Sequence, residues 1–354
     1  MAMGSGGAVM GAGGGTCVVA DVEPAPDMVT FQPSATVATL AGSEASGVMD
    51  GVGAAATFAN PVGVIVEPQG SVLVADYDGN TVRRVATDGT VTTLTKQPGF
   101  VQPFGLGYGK NGDLFVSTDY DPSGLKDAQS GTLWHLDAVG GVATAMAPDM
   151  GRARSFAAVP DGRLVVTNYQ NNHIYLVDPA TGSPTELAGN SGGGCITFAD
   201  GVGSAATFDV PYGVVVLSDG RIIVADRSNH RLRAVTIDGT VTTYAGDGGS
   251  GTIDGPLLQA RFAGPQGLAT DSHDNVFVTD SVAHRIRRVG ADGTVTTIAG
   301  NGVAGWQDGA GADAQFFGQE GIAVTPDGQT IYVADGTSGE GSVNNRIRQI
   351  TLGQ

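Results

Sequence analysis

The segment VADYDGNTVRRVATDGTVTTL beginning at Val74 recurs as VADRSNHRLRAVTIDGTVTTYAG at Val224 and as VTDSVAHRIRRVGADGTVTTIAG at Val278. Self-similarity of this length makes the chain a tandem array. A period of about fifty residues, built from short apolar runs and turn residues, is the sequence form of propellers and solenoids. It also changes how single residues are read, because a residue repeated in every unit serves construction before it serves chemistry.

Each unit opens near a P-x-G signal: Pro61-Val62-Gly63, Pro103-Phe104-Gly105, Pro211-Tyr212-Gly213 and Pro265-Gln266-Gly267, with degenerate forms at Ala153-Arg154-Ser155 and between Gly318 and Gly321. Four short apolar, β-branched runs follow, as in GVIVEP, VLVAD, TVRRVA and VTTL, separated by turns that include a DG pair. That pattern predicts antiparallel strands and no helix. Six such units predict an all-β, six-bladed β-propeller of four-stranded antiparallel blades. The last unit, NRIRQITLGQ, lacks its fourth run, and Val37-Ala38-Thr39-Leu40-Ala41-Gly42 matches the missing one. The N-terminal strand is therefore expected to close the last blade and remove an open edge. The propeller is placed at residues 36–354, after a flexible Gly/Ala/Pro-rich segment at 1–35.

With 35 acidic against 18 basic residues the formal charge is −17, and no basic run is present. Nucleic acid is excluded as a partner, since phosphate neutralisation by Lys and Arg supplies most of that affinity. No apolar stretch is long enough to span a membrane. Cys17 and Cys195 are the only thiols, and their pairing is left open. So few thiols and a glycine-rich leader favour an extracytoplasmic location, whether periplasmic, cell-surface or secreted. No cofactor is expected. The one metal considered is calcium, at the D-x-D-G-N run Asp76-Tyr77-Asp78-Gly79-Asn80, which lacks the remaining ligand positions of a calcium loop.

The strings VADYDGNTVRRV, VADRSNHRLRAV and VTDSVAHRIRRV resemble the NHL-repeat propellers. So does the connecting motif AG-x-G-x-x-G…DG…A-x-F, present as LAGSEASGVMDGVGAAATF, LAGNSGGGCITFADGVGSAATF, YAGDGGSGTIDGPLLQARF and IAGNGVAGWQDGAGADAQF. The resemblance covers nearly the whole chain from residue 36 and implies the six-bladed fold. Similar propellers serve as protein- or RNA-binding scaffolds, as a peptide-amidating lyase and as relatives of lactonase-type hydrolases, so the resemblance selects no single chemistry.

Stacking the units separates construction from exception. Asp76, Asp119, Asn168, Asp226, Asp280 and Asp335 are read as one column at the end of the second strand, where they cap a loop or meet an Arg of the third strand. The matching third-strand column is Arg83, Trp134, Tyr175, Arg233, Arg287 and Arg348. Asp50, Asp200, Asp254 and Asp308 are read as turn residues of the connecting motifs. His173, His230 and His284 recur beside the third strand and show no metal-site spacing.

The exceptions gather on one rim, called the top. The connections TKQPGFVQ, from blade one to two, and APDMGRAR, from two to three, are short where the others are long. On that side Tyr77, Tyr120 and Tyr169 follow the Asp column, while the other blades carry Arg227, Ser281 and Gly336. The loop from Asp119 to Thr132 is long enough to form a wall or lid. A second ring, Val62, Phe104, Arg154, Tyr212, Gln266 and Glu320, precedes each innermost strand at the channel mouth, with Arg154 expected opposite Glu320. Tyrosine offers a flat apolar face and a hydroxyl, the combination that recognition surfaces use.

The innermost strands GVIVEP, GLGYG, FAAVP, GVVVLS, GLATD and GIAVTP carry few groups able to converge on a metal, and no nucleophile motif stands out. The chain is therefore expected to be a non-catalytic recognition or scaffold propeller that binds a peptide, glycan, protein partner or small ligand on its top face over blades one to three. The binding residues expected are Tyr77, Tyr120, Tyr169, Phe104, Arg154, Tyr212, Gln266 and Glu320. The alternatives are an extracytoplasmic hydrolase or lyase acting at the channel mouth, and a structural or assembly subunit.

Overall fold

In the computed structural model, which describes residues 27–353 apart from 33, 128–129, 149, 191–197 and 337–343, six antiparallel sheets form the blades of a ring. Cys17, Cys195 and residues 1–26 lie outside the described residues. Blade one runs from the channel outwards as Pro61–Val66, Val72–Asp76, Thr81–Val85 and Thr90–Thr95. The other blades repeat that order.

Side-chain patterns explain the layering. Second strands such as VLVAD and IIVAD are buried at every position, because each is covered on both faces by neighbouring blades. The outermost TVTTLT leaves Thr92 and Thr93 exposed between the buried Val91 and Thr95, as a strand with one solvated side can. Between blades the packing is aliphatic: Val64, Val74 and Val85 of blade one meet Tyr332, Ala334 and Ile347 of blade six.

The P-x-G glycines close the ring. A Cβ on Gly63 would stand 2.0 Å from the Phe104 carbonyl oxygen, and one on Gly321 would stand 2.3 Å from that of Val62. Adjacent innermost strands can come this close only where the side chain is absent. In blade three the position is Ser155, whose hydroxyl accepts from the Val214 amide at 3.2 Å.

The last blade contains Gln319–Val324, Thr330–Asp335 and Asn345–Leu352, and the N-terminal Ala35–Ser43 supplies its fourth strand, in register from Ala35 opposite Leu352 to Ser43 opposite Asn345. Contacts begin ahead of residue 36. Met28 and Phe31 form bridges to Ile253 and Thr297 at blade five, and Asp27 meets Arg285 at 2.8 Å.

Blades one, four, five and six carry a short fifth strand, Gly51–Val52, Gly201–Val202, Gly255–Pro256 and Gly309–Ala310, laid against the outermost strand by the long connection leading into or along that blade. Those same four blades carry the buried arginine. Arg233 donates to Asp226 at 2.8 Å, to Asp200 at 2.6 Å, and to the carbonyls of Thr207 and Ala199. Its guanidinium also lies 5.2 Å from the ring of Phe208, the last residue of A-x-F. Arg83, Arg287 and Arg348 repeat the arrangement with Asp50, Asp254 and Asp308. The connecting Asp is thus an arginine partner as well as a turn residue, and long connection and buried arginine are one device. Blades two and three lack both.

Candidate functional site

Main-chain pairing first corrects the register of blade two. Pro61 is opposite Asp76, Pro211 opposite Asp226 and Pro265 opposite Asp280, but Pro103 is opposite Thr118. Thr118, rather than Asp119, therefore belongs to the Asp column. Trp134 takes the Arg position and donates its indole N–H to the Thr118 hydroxyl at 2.8 Å, replacing the ion pair with a neutral one. In blade three Asn168 holds the corner, accepting from the amides of Gln170 and Asn171.

The shift moves the tyrosine column as well. The equivalent of Tyr77 and Tyr169 in blade two is Asp119, and Tyr120 lies one residue further along the loop. The similarity of DYD at Asp76 and Asp119 suggests the wrong alignment; strand length sets the right one.

At the mouth, four aromatic rings touch in sequence. Tyr77 meets Phe104 with centroids 5.8 Å apart, Phe104 meets Tyr212 at 5.8 Å, and Tyr212 meets Tyr169 at 6.2 Å. The Arg154 guanidinium lies between two of them, 4.1 Å from Phe104 and 4.5 Å from Tyr169. Arg154 does not meet Glu320 across the channel, as its position in the ring suggests. It turns sideways to Asp119, donating from Nη1 at 2.5 Å, and is only 7% exposed. Phe104 and Gln266 are buried too, whereas Tyr77, Tyr120, Tyr169, Tyr212 and Glu320 are half-buried and reach solvent.

Asp119 is the centre of a network. Its Oδ2 accepts from the Tyr77 hydroxyl at 2.6 Å and lies 3.7 Å from Lys126, which donates to Gln102 and lies 5.2 Å from the Tyr120 ring. The loop that carries Lys126 thus folds back over blade one. Burial pushes the Asp119 carboxyl up, but Arg154, Tyr77 and Lys126 together hold it below the ordinary range. Burial raises Glu320, with Arg154 and the Tyr212 hydroxyl, 3.0 Å away, opposing it. Burial beside carboxylates also keeps Tyr77 and Tyr212 protonated, so both act as hydrogen-bond donors.

The channel under this cluster holds a cavity of about 60 Å³, lined by Gly63, Gly105, Gly213, Gly267 and Ser155 among others. It has room for water, so a larger ligand must lie over the mouth. A second cleft of about 420 Å³ opens by Asn111, Phe115, His135, Thr144 and Met146, between blades two and three. Among the described residues no three His, Cys, Asp or Glu side chains converge as metal ligands. In the run considered for calcium, Asp76 accepts from the Ala59 amide, Asp78 from the Asn60 side chain and Asn80 from the Gln102 amide.

Arg152, Arg227, Gln102 and Lys126 also belong to this face, and the sequence does not single them out as a set. Arg227 occupies in blade four the position of Tyr169 in blade three, and Arg152 donates to the Tyr169 hydroxyl at 3.0 Å.

Six blades around a closed mouth define a β-propeller. Within that class the chain carries NHL repeats: residues 208–234 and 262–289 match the NHL repeat. A relative in Arabidopsis thaliana, the chloroplastic protein SUPPRESSOR OF QUENCHING 1, is 30% identical over 148 residues, a match that spans 39% of this chain and 14% of that protein. Among solved structures, an auxiliary nutrient binding protein from Bacteroides ovatus superposes with a TM-score of 0.69 at 21% identity, over 92% of this chain and 78% of its own. Virginiamycin B lyase from Staphylococcus aureus superposes with a TM-score of 0.54 at 15% identity, over 90% and 99%. Both are likenesses of fold. No helix among the described residues is long and apolar enough to cross a membrane.

Proposed function

We propose that this chain is an extracytoplasmic, non-catalytic recognition propeller that holds a glycan, peptide or small ligand over its channel mouth, on the side of blades one to three. One observation carries the proposal: Tyr77, Tyr169 and Tyr212 present half-buried rings at the mouth, in contact with the buried Phe104 and Arg154. Rings fixed in this way lose little freedom on binding, which favours their use as anchors. The titratable groups nearby are engaged with one another, Asp119 with Arg154 and Tyr77, and Glu320 with Tyr212, which suits positioning better than proton transfer. A fold neighbour described as a nutrient binding protein agrees with a binding role.

The test is an unbiased glycan and peptide array, followed by titration of each hit with Tyr77→Ala, Tyr169→Ala and Tyr212→Ala. Each substitution is expected to weaken binding by about tenfold or more while the denaturation midpoint moves little, since aromatic anchors carry on the order of 2 kcal/mol. Unchanged affinity in all three variants would reject the top-face site.

A further inference from the structure

We infer that the cleft between blades two and three is a second binding site, and that it takes a guanidinium group on an aliphatic stem, as an arginine side chain or a small alkylguanidine presents it. The top loops join second to third strands, so the hairpins that border this cleft lie on the opposite rim. The inference therefore stands apart from the top-face reading.

The repeat supplies the argument. Main-chain pairing makes Leu73, Arg84 and Thr92 one row across blade one, Phe115, His135 and Thr144 the same row in blade two, and Phe277, Arg288 and Thr296 the same row in blade five. In blades one and five the third-strand member is an arginine with its acceptors in place. Arg84 donates to the Glu67 carboxylate at 2.7 and 2.8 Å and to the Ala138 carbonyl of blade two at 2.8 Å, and Arg288 donates to Asn275 Oδ1 at 2.6 Å.

Blade two keeps the acceptor positions and lacks the cation. Asp113 stands where Asn275 stands in blade five, each main-chain carbonyl closing the hairpin between first and second strands. Pro179 of blade three stands where Ala138 stands in blade two, directly after the aspartate that closes the hairpin between third and fourth strands. Both residues line the cleft of about 420 Å³. His135 is too short to replace the arginine: its Nε2 stays 3.7 Å from the Asp113 carboxylate, beyond hydrogen-bond reach. The cleft thus opens where blade one places its own guanidinium.

The remaining walls suit the rest of such a ligand. The exposed His135 imidazole, set edge-to-face on Phe115 with centroids 5.6 Å apart, offers a flat ring to a planar cation. Ala145, Met146, Pro179 and Ala180 offer apolar surface to methylene groups. A formal charge of −17 favours the approach of cations over anions. Among the described residues lining the cleft there is no Lys or Arg, so a carboxylate ligand would meet Asp113 with nothing to hold it.

The experiment is an NMR titration of the full chain with butylguanidine, butylamine and the peptide acetyl-Gly-Arg-Gly-amide. Butylguanidine is expected to shift the signals of Asp113, His135 and Thr144 saturably and to bind about tenfold more tightly than butylamine, which has no planar pair of donors. Asp113→Ala should weaken that binding about tenfold. His135→Arg should supply the guanidinium from within and abolish the titration, while Tyr169→Ala should leave it unchanged. Both cleft side chains are about half exposed, so the denaturation midpoints of their variants should stay near that of the unsubstituted protein. Tighter binding of the peptide than of butylguanidine would identify the source as a protein arginine, and weaker binding a small molecule; either result upholds the site. The inference is overturned by the absence of saturable shifts at these residues, by butylamine binding as tightly, or by binding that survives His135→Arg or Asp113→Ala. Shifts gathered instead at Tyr77 and Tyr169 would overturn the cleft and leave the top-face reading standing. Saturation at the cleft, with no array hit responding to the tyrosine substitutions, would do the reverse.

Discussion

Blades four and two follow one plan and end differently. In blade four the top corner is a buried ion pair, Arg233 with Asp226, tied to the long connection through Asp200 and stacked by Phe208. In blade two the same corner is Trp134 with Thr118, the connection is short, and a carboxylate stands one residue later, facing the mouth. The lesson concerns where charge goes. A blade that keeps its arginine uses that charge to clamp the connection; a blade that substitutes a neutral pair has Asp119 free to organise Arg154, Tyr77 and Lys126 on the rim.

The largest expected effect tests the clamp. Arg233→Ala leaves Asp226 buried without its cation and should destabilise the protein by about 3–5 kcal/mol in chemical denaturation, the range for breaking a buried pair. Trp134→Phe keeps the ring in place and removes one neutral hydrogen bond, so it should cost about 1 kcal/mol. Equal losses would mean that the two corners carry the same load, and the comparison would break.

A smaller effect separates the carboxylates by pH. Burial pushes Asp226 up to about 6 and Asp76 up to about 7, against an ordinary value of 3.8. A carboxyl raised in the folded state holds a proton that the unfolded chain has released, so its contribution is full below pH 3.8 and is lost as pH rises through 6 to 7. Asp119 is lowered, so its contribution is present above the unfolded value and lost as pH falls through its folded one. The denaturation midpoint should therefore decline between about pH 4 and 7, and Asp76→Asn should flatten that decline. Asp119→Asn should alter only the acid limb. A decline that persists unchanged in Asp76→Asn would contradict the assignment.

Much of the fold was legible in the residues, because the period and the P-x-G glycines are direct consequences of packing six strands around one axis. The closing strand was legible for the same reason: VATLAG fills a gap that the last unit leaves. Blade two's register was misread because DYD repeats by composition while strand length decides geometry. Fifteen positions after Pro61, Pro211 and Pro265 stand Asp76, Asp226 and Asp280, and fifteen after Pro103 stands Thr118. The partners of Arg154 and Glu320 were not legible, since a side chain at a ring position can turn to its neighbour as readily as across the channel. Arg152 was also missed, because its hydrogen bond to the Tyr169 hydroxyl is a property of three dimensions.

The most direct test of the recognition face is hydrogen–deuterium exchange of the full chain with and without a saturating array-derived ligand. Protection is expected at Gln102–Phe104, at the loop around Lys126, and at the segments of Arg152, Tyr169 and Tyr212, with the outer connections of blades five and six unchanged. Protection confined to the cleft around Phe115, His135 and Met146, or to those outer connections, would contradict it.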